Sequence, residues 1–578
     1  MVLGKTGRVC RRQLSAPTML GLFFVLYLEY MILRILFFCV FSLCFSQNNI
    51  VFESLESNSS FELNNIGDPL IFLIPKELPS NLFLNHVSKD IRSIDFQSNT
   101  KKIFSDTIYS YISYTGVYKY GGLLETFLTR PIGKYVKLNF TYDNLSSEGF
   151  LNHQHNKYGN IFLSLDFQKD DFYACSFLFG SLSAKYEQSG GVISYNSGIS
   201  ADLNPTYLTS ANTEVKRKII KFSQTYLLDS GLQLKHDLSA LLFKRDFVDL
   251  SPLSFYYSFT DSDVVFENYH LHMFFNSIFN TFSLSKNKFK FSINHNYYNT
   301  NDLSVDKIGD IIFSLNSTDV LKQKKNIYFN LSFCPIGYNK KNYLLDLRWY
   351  KNTVKFSHCI SFDILSKKPD FFRQHYLNDS SWDWSDFLSS QTFSFKIKSD
   401  LKKRNLLTSV LINKVSHFLY FNELASPVQL EDDILYFKFR LNKIWYLRNL
   451  SFNTSLCFQY ADKEVLSIPT FFYHQNIKYN RILVNDFVVS FSLSSYFFSN
   501  YYSDLFFPLT DVFHQQRNQE IGFQPFFSGD FFISKKDFSF GVLLNNLQNI
   551  FLSESYFVPD YILPKPIVRF SIKWGFLD

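Results

Sequence analysis

The chain has 578 residues, 46% hydrophobic and 19% aromatic, and its formal charge of +7 falls to +3 (53 basic, 50 acidic) once the first 46 residues are set aside. That balance excludes the strongly basic stripe of a nucleic-acid binder, so no nucleic acid is expected as a partner. Beyond residue 46 no run of about 18 residues is apolar and free of charge, which excludes a membrane helix there, and Cys175, Cys334, Cys359 and Cys457 are spaced too widely for a zinc motif or a disulfide framework.

Residues 19–45 are apolar but interrupted by Glu29 and Arg34, which disfavours a single spanning helix or an inner-membrane anchor. Read from Met31, the stretch has the parts of a signal peptide: Arg34 as the positive region, Ile35–Leu43 as the apolar core, and Cys44-Phe45-Ser46 as a cleavage site before Gln47. Residues 1–46 are therefore a leader, with Met31 as the expected true start. A lipoprotein signal is disfavoured because Cys39 and Cys44 lack small residues before them.

Residues 47–105 are mixed and polar, with Asp68-Pro69, Pro75 and Pro79 interrupting regular structure, and are expected to form a short periplasmic N-terminal segment. A resemblance to TonB-dependent receptors would require a plug well over twice that length, and barrel-insertion machinery carries repeated periplasmic domains. Both classes are disfavoured.

From Asp106 the pattern changes to period two, which places alternate side chains on opposite faces of a strand. Val136, Leu138, Phe140 and Tyr142 oppose Lys137, Asn139 and Thr141; Ile161, Leu163, Leu165 and Phe167 oppose Ser164, Asp166 and Gln168. Leu232, Leu234, His236, Leu238, Ala240 and Leu242 share one face, and Leu345, Leu347 and Trp349 oppose Asp346 and Arg348. Further on, Phe393, Phe395 and Ile397 oppose Ser394, Lys396 and Lys398, and Leu435, Phe437, Phe439 and Leu441 oppose Lys438 and Arg440. Short polar turns recur at Lys286-Asn287-Lys288, Asn339–Asn342, Leu401–Asn405 and Ser534–Asp537. One such strand fits a soluble sandwich equally well. Many of them after an export signal, with aromatics near strand ends, fit an all-β, antiparallel, up-and-down transmembrane β-barrel over 106–578. At about 25–30 residues per strand and connection, it would hold about 16–18 strands.

The last strand closes that barrel. Val568, Phe570, Ile572, Trp574 and Phe576 share one face, and Arg569, Ser571, Lys573 and Gly575 the other. Pairing it with the first strand removes the sheet's edge. Phe570, Trp574 and Phe576 are the expected C-terminal insertion signal read by the barrel assembly machinery.

From Asn485 to Asp578 the chain resembles a Bacteroidota family of porins. The residues that carry the resemblance are Ser494–Tyr502, Phe507-Pro508, Phe513-His514-Gln515-Gln516, Ile521–Phe527, Tyr556–Pro564 and Arg569–Asp578. Weaker echoes occur at Asp106–Tyr109 and Lys235–Leu238, while Leu577 stands where that family has a second terminal aromatic. The resemblance implies an outer-membrane barrel and brings no substrate.

There is no GxSxG, HExxH, P-loop or GxGxxG, so neither an enzyme nor a cofactor is expected. His153 with His155, and His270 with His272, have the spacing of a strand-borne metal pair, but no third ligand lies near in sequence, so no metal is expected. Asp379, Asp383 and Asp386 around Trp382 and Trp384 read as an extracellular loop. The inward faces are mostly basic, with Lys137, Lys396, Lys398, Lys438, Arg440, Arg569 and Lys573 against Asp166 and Asp346. Fixed positive charge along an aqueous path favours anions. The leading expectation is an outer-membrane porin: a passive diffusion channel for small hydrophilic solutes, weakly preferring anions. The alternatives are a structural or secretion-associated barrel with a closed lumen and a barrel enzyme. Expected partners are outer-membrane lipid, the barrel assembly machinery, small solutes and, as porins are often trimeric, further copies of the chain.

Overall fold

The computed structural model describes residues 60–62, 70–73, 108–117, 120–169, 172–228, 231–252, 269–300, 308–317, 325–370, 375–376, 382–383 and 387–577. The leader, residues 1–46 with Met31, lies outside the described residues.

Twenty-two antiparallel strands, running from Tyr109–Val117 to Ile567–Leu577, close into one barrel. Each strand pairs with its neighbours in sequence, and the first pairs with the last in a register from Tyr109↔Leu577 to Gly116↔Phe570. The all-β up-and-down reading therefore holds, but the strand number exceeds the 16–18 expected. The excess comes from the connections at one end, which are far shorter than assumed: residues 133–135, 287–288, 448–449 and 536–537 are entire turns.

Alternation decides which way each side chain faces. Val568, Phe570, Ile572, Trp574 and Phe576 are 40–55% exposed on the outer wall, while Gly575 on the other face is buried. The same outward apolar rows appear at Ile161, Leu165 and Phe177 and at Phe393, Phe395 and Ile397. An apolar belt of this kind is stable only against lipid. The chain is an outer-membrane β-barrel.

The two ends differ. Connections from odd to even strands include residues 188–211, 417–433, 499–525 and 546–566, whereas among the described residues those from even to odd strands, such as 133–135, 287–288, 353–356, 402–405, 448–449 and 536–537, are short turns. Short turns face the periplasm and long loops the exterior, which also puts both ends of the barrel segment on the periplasmic side. Two of the long loops carry hairpins of their own: 417–433 pairs Leu419–Phe421 with Pro427–Gln429, and 499–525 pairs Tyr501–Tyr502 with Glu520–Ile521 and Leu505–Phe507 with Val512–His514.

One feature breaks the simple alternation. Toward the loop end of Leu232–Asp249 and Tyr269–Lys286, the inward residues Phe243, Phe247, Leu271, Met273 and Phe275 are apolar and buried. A water-filled bore would not bury them. They are covered by loops.

Candidate functional site

The covering is a cap built mainly from residues 499–525. Phe507, Leu509 and Val512 pack with Phe243, Phe247, Leu271 and Phe275 of the wall and with Phe421 and Ala425 of the 417–433 loop. Tyr501, Phe506 and Ile521 pack instead with Phe472, Phe498 and Phe526, together with Phe557 and Val558 of the 546–566 loop. The second group belongs to the strands around the loop's own base; the first belongs to strands Leu232–Asp249 and Tyr269–Lys286, which are far away around the barrel. The loop therefore crosses the bore, and the adjacent Phe506 and Phe507 face opposite walls.

Polar contacts fix it there. Arg245, 2% exposed and inward on the wall, donates from its guanidinium to the carbonyls of Pro508 (2.6 Å) and Leu509 (2.8 Å). A buried cation needs such acceptors, and charge-assisted hydrogen bonds of this kind are worth about 1.5–3 kcal/mol each. The Gln515 amide donates to the Phe421 carbonyl at 3.0 Å, the Ser503 hydroxyl to the Phe557 carbonyl at 3.3 Å, and the Val192 amide to the Asp560 carbonyl at 2.9 Å. Four loops are thus tied into one unit. At the return of the central loop, Gly522 has φ of +125° and its Cα faces the Ser499 carbonyl so closely that a Cβ would lie 2.6 Å from that oxygen, so only glycine fits.

Burial governs the ionisable groups of the cap. It pushes the Asp504 carboxyl up to about 6 against the pull of Arg517, and the Asp560 carboxyl also up to about 6. It pulls the His514 imidazole down to about 4, although the Gln515 carbonyl accepts from Nδ1 at 3.0 Å.

The N-terminal segment reaches the same place. Ser60–Glu62 pairs with Leu70–Phe72, and Leu73, 1% exposed, packs in the cluster around Phe498 and Phe557. Its carbonyl accepts from Nε2 of the inward-facing Gln459 at 2.7 Å. The segment expected as a periplasmic piece thus has a residue seated on the inner wall near the loop end.

All seven basic residues expected to line the lumen lie on inward-facing positions. Lys396, Lys398, Lys438 and Arg440 are brought together: the registers Lys396↔Leu411↔Lys438 and Lys398↔Ser409↔Arg440 set them as two rows on alternate strands. Lys137 is on a distant strand, directly across from Asp166. Lys573 lies over the Tyr111 ring at 4.7 Å, in a row that continues through Ser113 and Glu125 to Asp143. Arg569 stands on the same face two positions before Ser571. The wall is more mixed than the sequence implied, for Glu125, Asp143, Asp310, Asp363, Asp400 and Asp530 also face inward. Asp346 is held bidentate by Arg348, at 2.8 and 2.5 Å. Phe570, Trp574 and Phe576 face outward, with Trp574 edge-on to Phe538 and stacked on Phe576.

The histidine pairs gain no metal geometry. His272 is bonded to Asp246, and His155 Nδ1 lies 4.0 Å from Glu148; among the described residues no cluster of three or more metal-ligating side chains forms. Of the acidic loop, Trp382-Asp383 pairs with His375-Tyr376, and the rest lies outside the described residues.

The cap is what sequence reasoning missed, although its signal was present. Phe507-Pro508, Phe513–Gln516, most of Ile521–Phe527 and Tyr556–Pro564, segments that carried the family resemblance, are cap residues. They are aromatic and apolar without period two, which an exposed loop would not sustain.

Residues 65–578 match a family model described as "Putative porin", and the chain belongs to that family. No curated protein matches it in sequence. Among solved structures the barrel is similar to the siderophore receptor PirA from Acinetobacter baumannii, at TM-score 0.59 and 11% identity, with 82% of this chain and 81% of that chain covered. A variant of the ferric enterobactin receptor PfeA from Pseudomonas aeruginosa in complex with enterobactin matches at TM-score 0.59 and 8% identity, covering 82% of each chain. The FrpB iron transporter from Neisseria meningitidis matches at TM-score 0.57 and 10% identity, covering 84% and 83%. At such identities the likeness concerns the fold. It overturns the passive diffusion channel: the barrel has the architecture of receptors and transporters of this kind, and a cap crosses the bore where an open channel would run. The shortness of residues 47–105 argued against a separate plug domain and said nothing about the barrel.

Proposed function

We propose that the chain is a gated outer-membrane transporter for a specific small molecule, closed at rest by its own loops and by its N-terminal segment. The observation that carries this is the 499–525 loop, packed on opposite walls at Phe506 and Phe507 and held by Arg245. A channel for unselective diffusion gains nothing from a cap with a folded core. A transporter does, because ligand affinity for the open state is what shifts the equilibrium toward it. The likeness to siderophore and iron receptors supports the reading at the level of fold. Below the cap, Lys396, Lys398, Lys438 and Arg440 offer the wall that a released ligand meets, and their charge suits a ligand bearing carboxylate, phosphate or catecholate oxygens.

Conductance in a planar bilayer tests the closed state. The purified full-length protein is expected to show only rare, brief bursts, and removal of residues 504–520 is expected to produce large, steady steps while the unheated protein still migrates as a folded barrel. Steady conductance from the intact protein, or none from the shortened one, would refute gating by the cap.

A further inference from the structure

We infer that three consecutive periplasmic turns form a binding shelf for the phosphate of an anionic phospholipid in the inner leaflet of the outer membrane. The turns are residues 353–356, 402–405 and 448–449, and they join six strands that are neighbours in the barrel. Lys351, Lys355, Lys402, Lys403, Arg404, Lys443 and Arg448 lie on or beside them, and Asp400, the acid of this stretch, is on an inward position. At the other end of the same part of the barrel, residues 417–433 and 462–470 carry Glu423, Glu431, Asp432, Asp433, Asp462 and Glu464 against Lys463, whose amine is 2.7 Å from Asp432. These three turns are thus basic and those two loops acidic, while the neighbouring loop-end residues Lys340, Lys341, Lys367 and Lys368 are basic.

The shelf is built rather than merely decorated. Lys402 Nζ donates to Asn352 Oδ1 at 2.6 Å and to the Thr353 carbonyl at 3.1 Å, which joins the first turn to the second. Lys443 Nζ donates to the Arg404 carbonyl, and the Ile444 amide to the Asn405 carbonyl at 3.1 Å, which joins the second to the third. Lys355, Lys403, Arg404 and Arg448 are exposed on this platform.

The surroundings select a lipid over a soluble anion. Val354 is 89% and Leu447 61% exposed at the tips of the outer turns, beside the cations. Lys351 lies over Phe356 at 5.5 Å and Lys443 near Trp445 at 5.9 Å. Aromatic rings with neighbouring Lys and Arg mark the level where headgroups meet hydrocarbon, the cations reaching the phosphates while apolar atoms stay in the acyl region. A free phosphate would use the charges but leave Val354 and Leu447 in water. An anionic phospholipid satisfies both.

Native mass spectrometry of the full-length protein in non-ionic detergent, incubated with phosphatidylglycerol or with phosphatidylcholine, tests the assignment. The protein is expected to retain at least fivefold more phosphatidylglycerol. The variant Lys355→Gln/Lys403→Gln/Arg448→Gln is expected to fall to the phosphatidylcholine level while its unheated gel migration stays that of a folded barrel, and Lys340→Gln/Lys341→Gln/Lys463→Gln, at the loop end, is expected to behave as wild type. If the triple turn variant fails to assemble, Lys403→Gln alone is expected to lower retention about twofold. Equal retention of the two lipids by wild type would leave the shelf to an acidic protein and overturn the inference. So would retention unchanged in the turn variants, or loss of the lipid to millimolar inorganic phosphate.

Discussion

At the scale of single residues, the cap is held by groups whose ionisation is coupled to its packing. Asp504 is raised from about 4 to about 6 by burial, so the neutral acid is favoured in the capped state. Its contribution is fully present below the ordinary carboxylate range and is lost as pH rises through about 6. His514, pulled down to about 4, works the other way: its contribution is full above the ordinary imidazole range and is lost as pH falls through about 4. Because the two trends oppose one another in wild type, single substitutions separate them. Asp504→Asn keeps the shape and removes the charge. It should open about as often as wild type at pH 4 and less often, by roughly a hundredfold, at pH 7, since the shift is about two units and one unit of pKa is a factor of ten. Burst frequency in a planar bilayer at the two pH values reads this directly. A variant that opens more often than wild type at pH 7 would mean that the Asp504 carboxylate serves the cap as an ion-pair partner.

At the scale of elements, the terminal strand Ile567–Leu577 shows how much a strand's own sequence determines. Period two assigned Val568, Phe570, Ile572, Trp574 and Phe576 to one face and Arg569 and Lys573 to the other, and in the barrel the first five are exposed on the outer wall while Arg569 and Lys573 are on the opposite, inward face. The wall was legible because lipid and water impose opposite demands on alternate residues of every strand. Two things were not. Turn length is not visible in a two-residue reversal such as 448–449, so the strand number came out low. Cap packing joins Phe507 to Phe247 across some 260 positions of sequence, and no local period reports such a contact. Asp143 shares the strand of Lys137 and was as legible as that lysine, whereas Glu125 lies on a strand whose alternation is weaker in sequence. The strand also carries a prediction of its own. Trp574 and Phe576 stack at 5.0 Å on the outer wall, so neither fills the lumen or touches the cap. Trp574→Asp/Phe576→Asp should abolish the heat-modifiable folded form in outer-membrane extracts, while Lys573→Gln, on the other face, should leave it intact. Normal assembly of the double variant would remove the insertion signal from these aromatics.

At the scale of the whole molecule, wall and contents are separable. The wall is a closed ladder in which every strand from Tyr109–Val117 to Ile567–Leu577 pairs on both sides, and none of those pairings involves residues before Tyr109. The N-terminal segment adds Leu73 to a cluster that already contains Phe498, Phe526 and Phe557, and uses one amide of Gln459. That amide also donates to the Pro469 carbonyl at 2.8 Å, so Gln459 keeps a partner without Leu73. Deleting residues 47–105 while retaining residues 1–46 should therefore yield a barrel that assembles and shows heat-modifiable migration. If the segment helps to close the bore, the same deletion should raise the frequency of conductance bursts, and combining it with removal of residues 504–520 should give steps larger than either change alone. The burial lost with Leu73 is one leucine side chain, about 1.5–3 kcal/mol, which is enough to loosen a cap and far too little to unfold a wall of twenty-two strands. Failure of the truncated chain to assemble would instead make the segment part of the folding route, and unchanged conductance would leave closure to the loops alone.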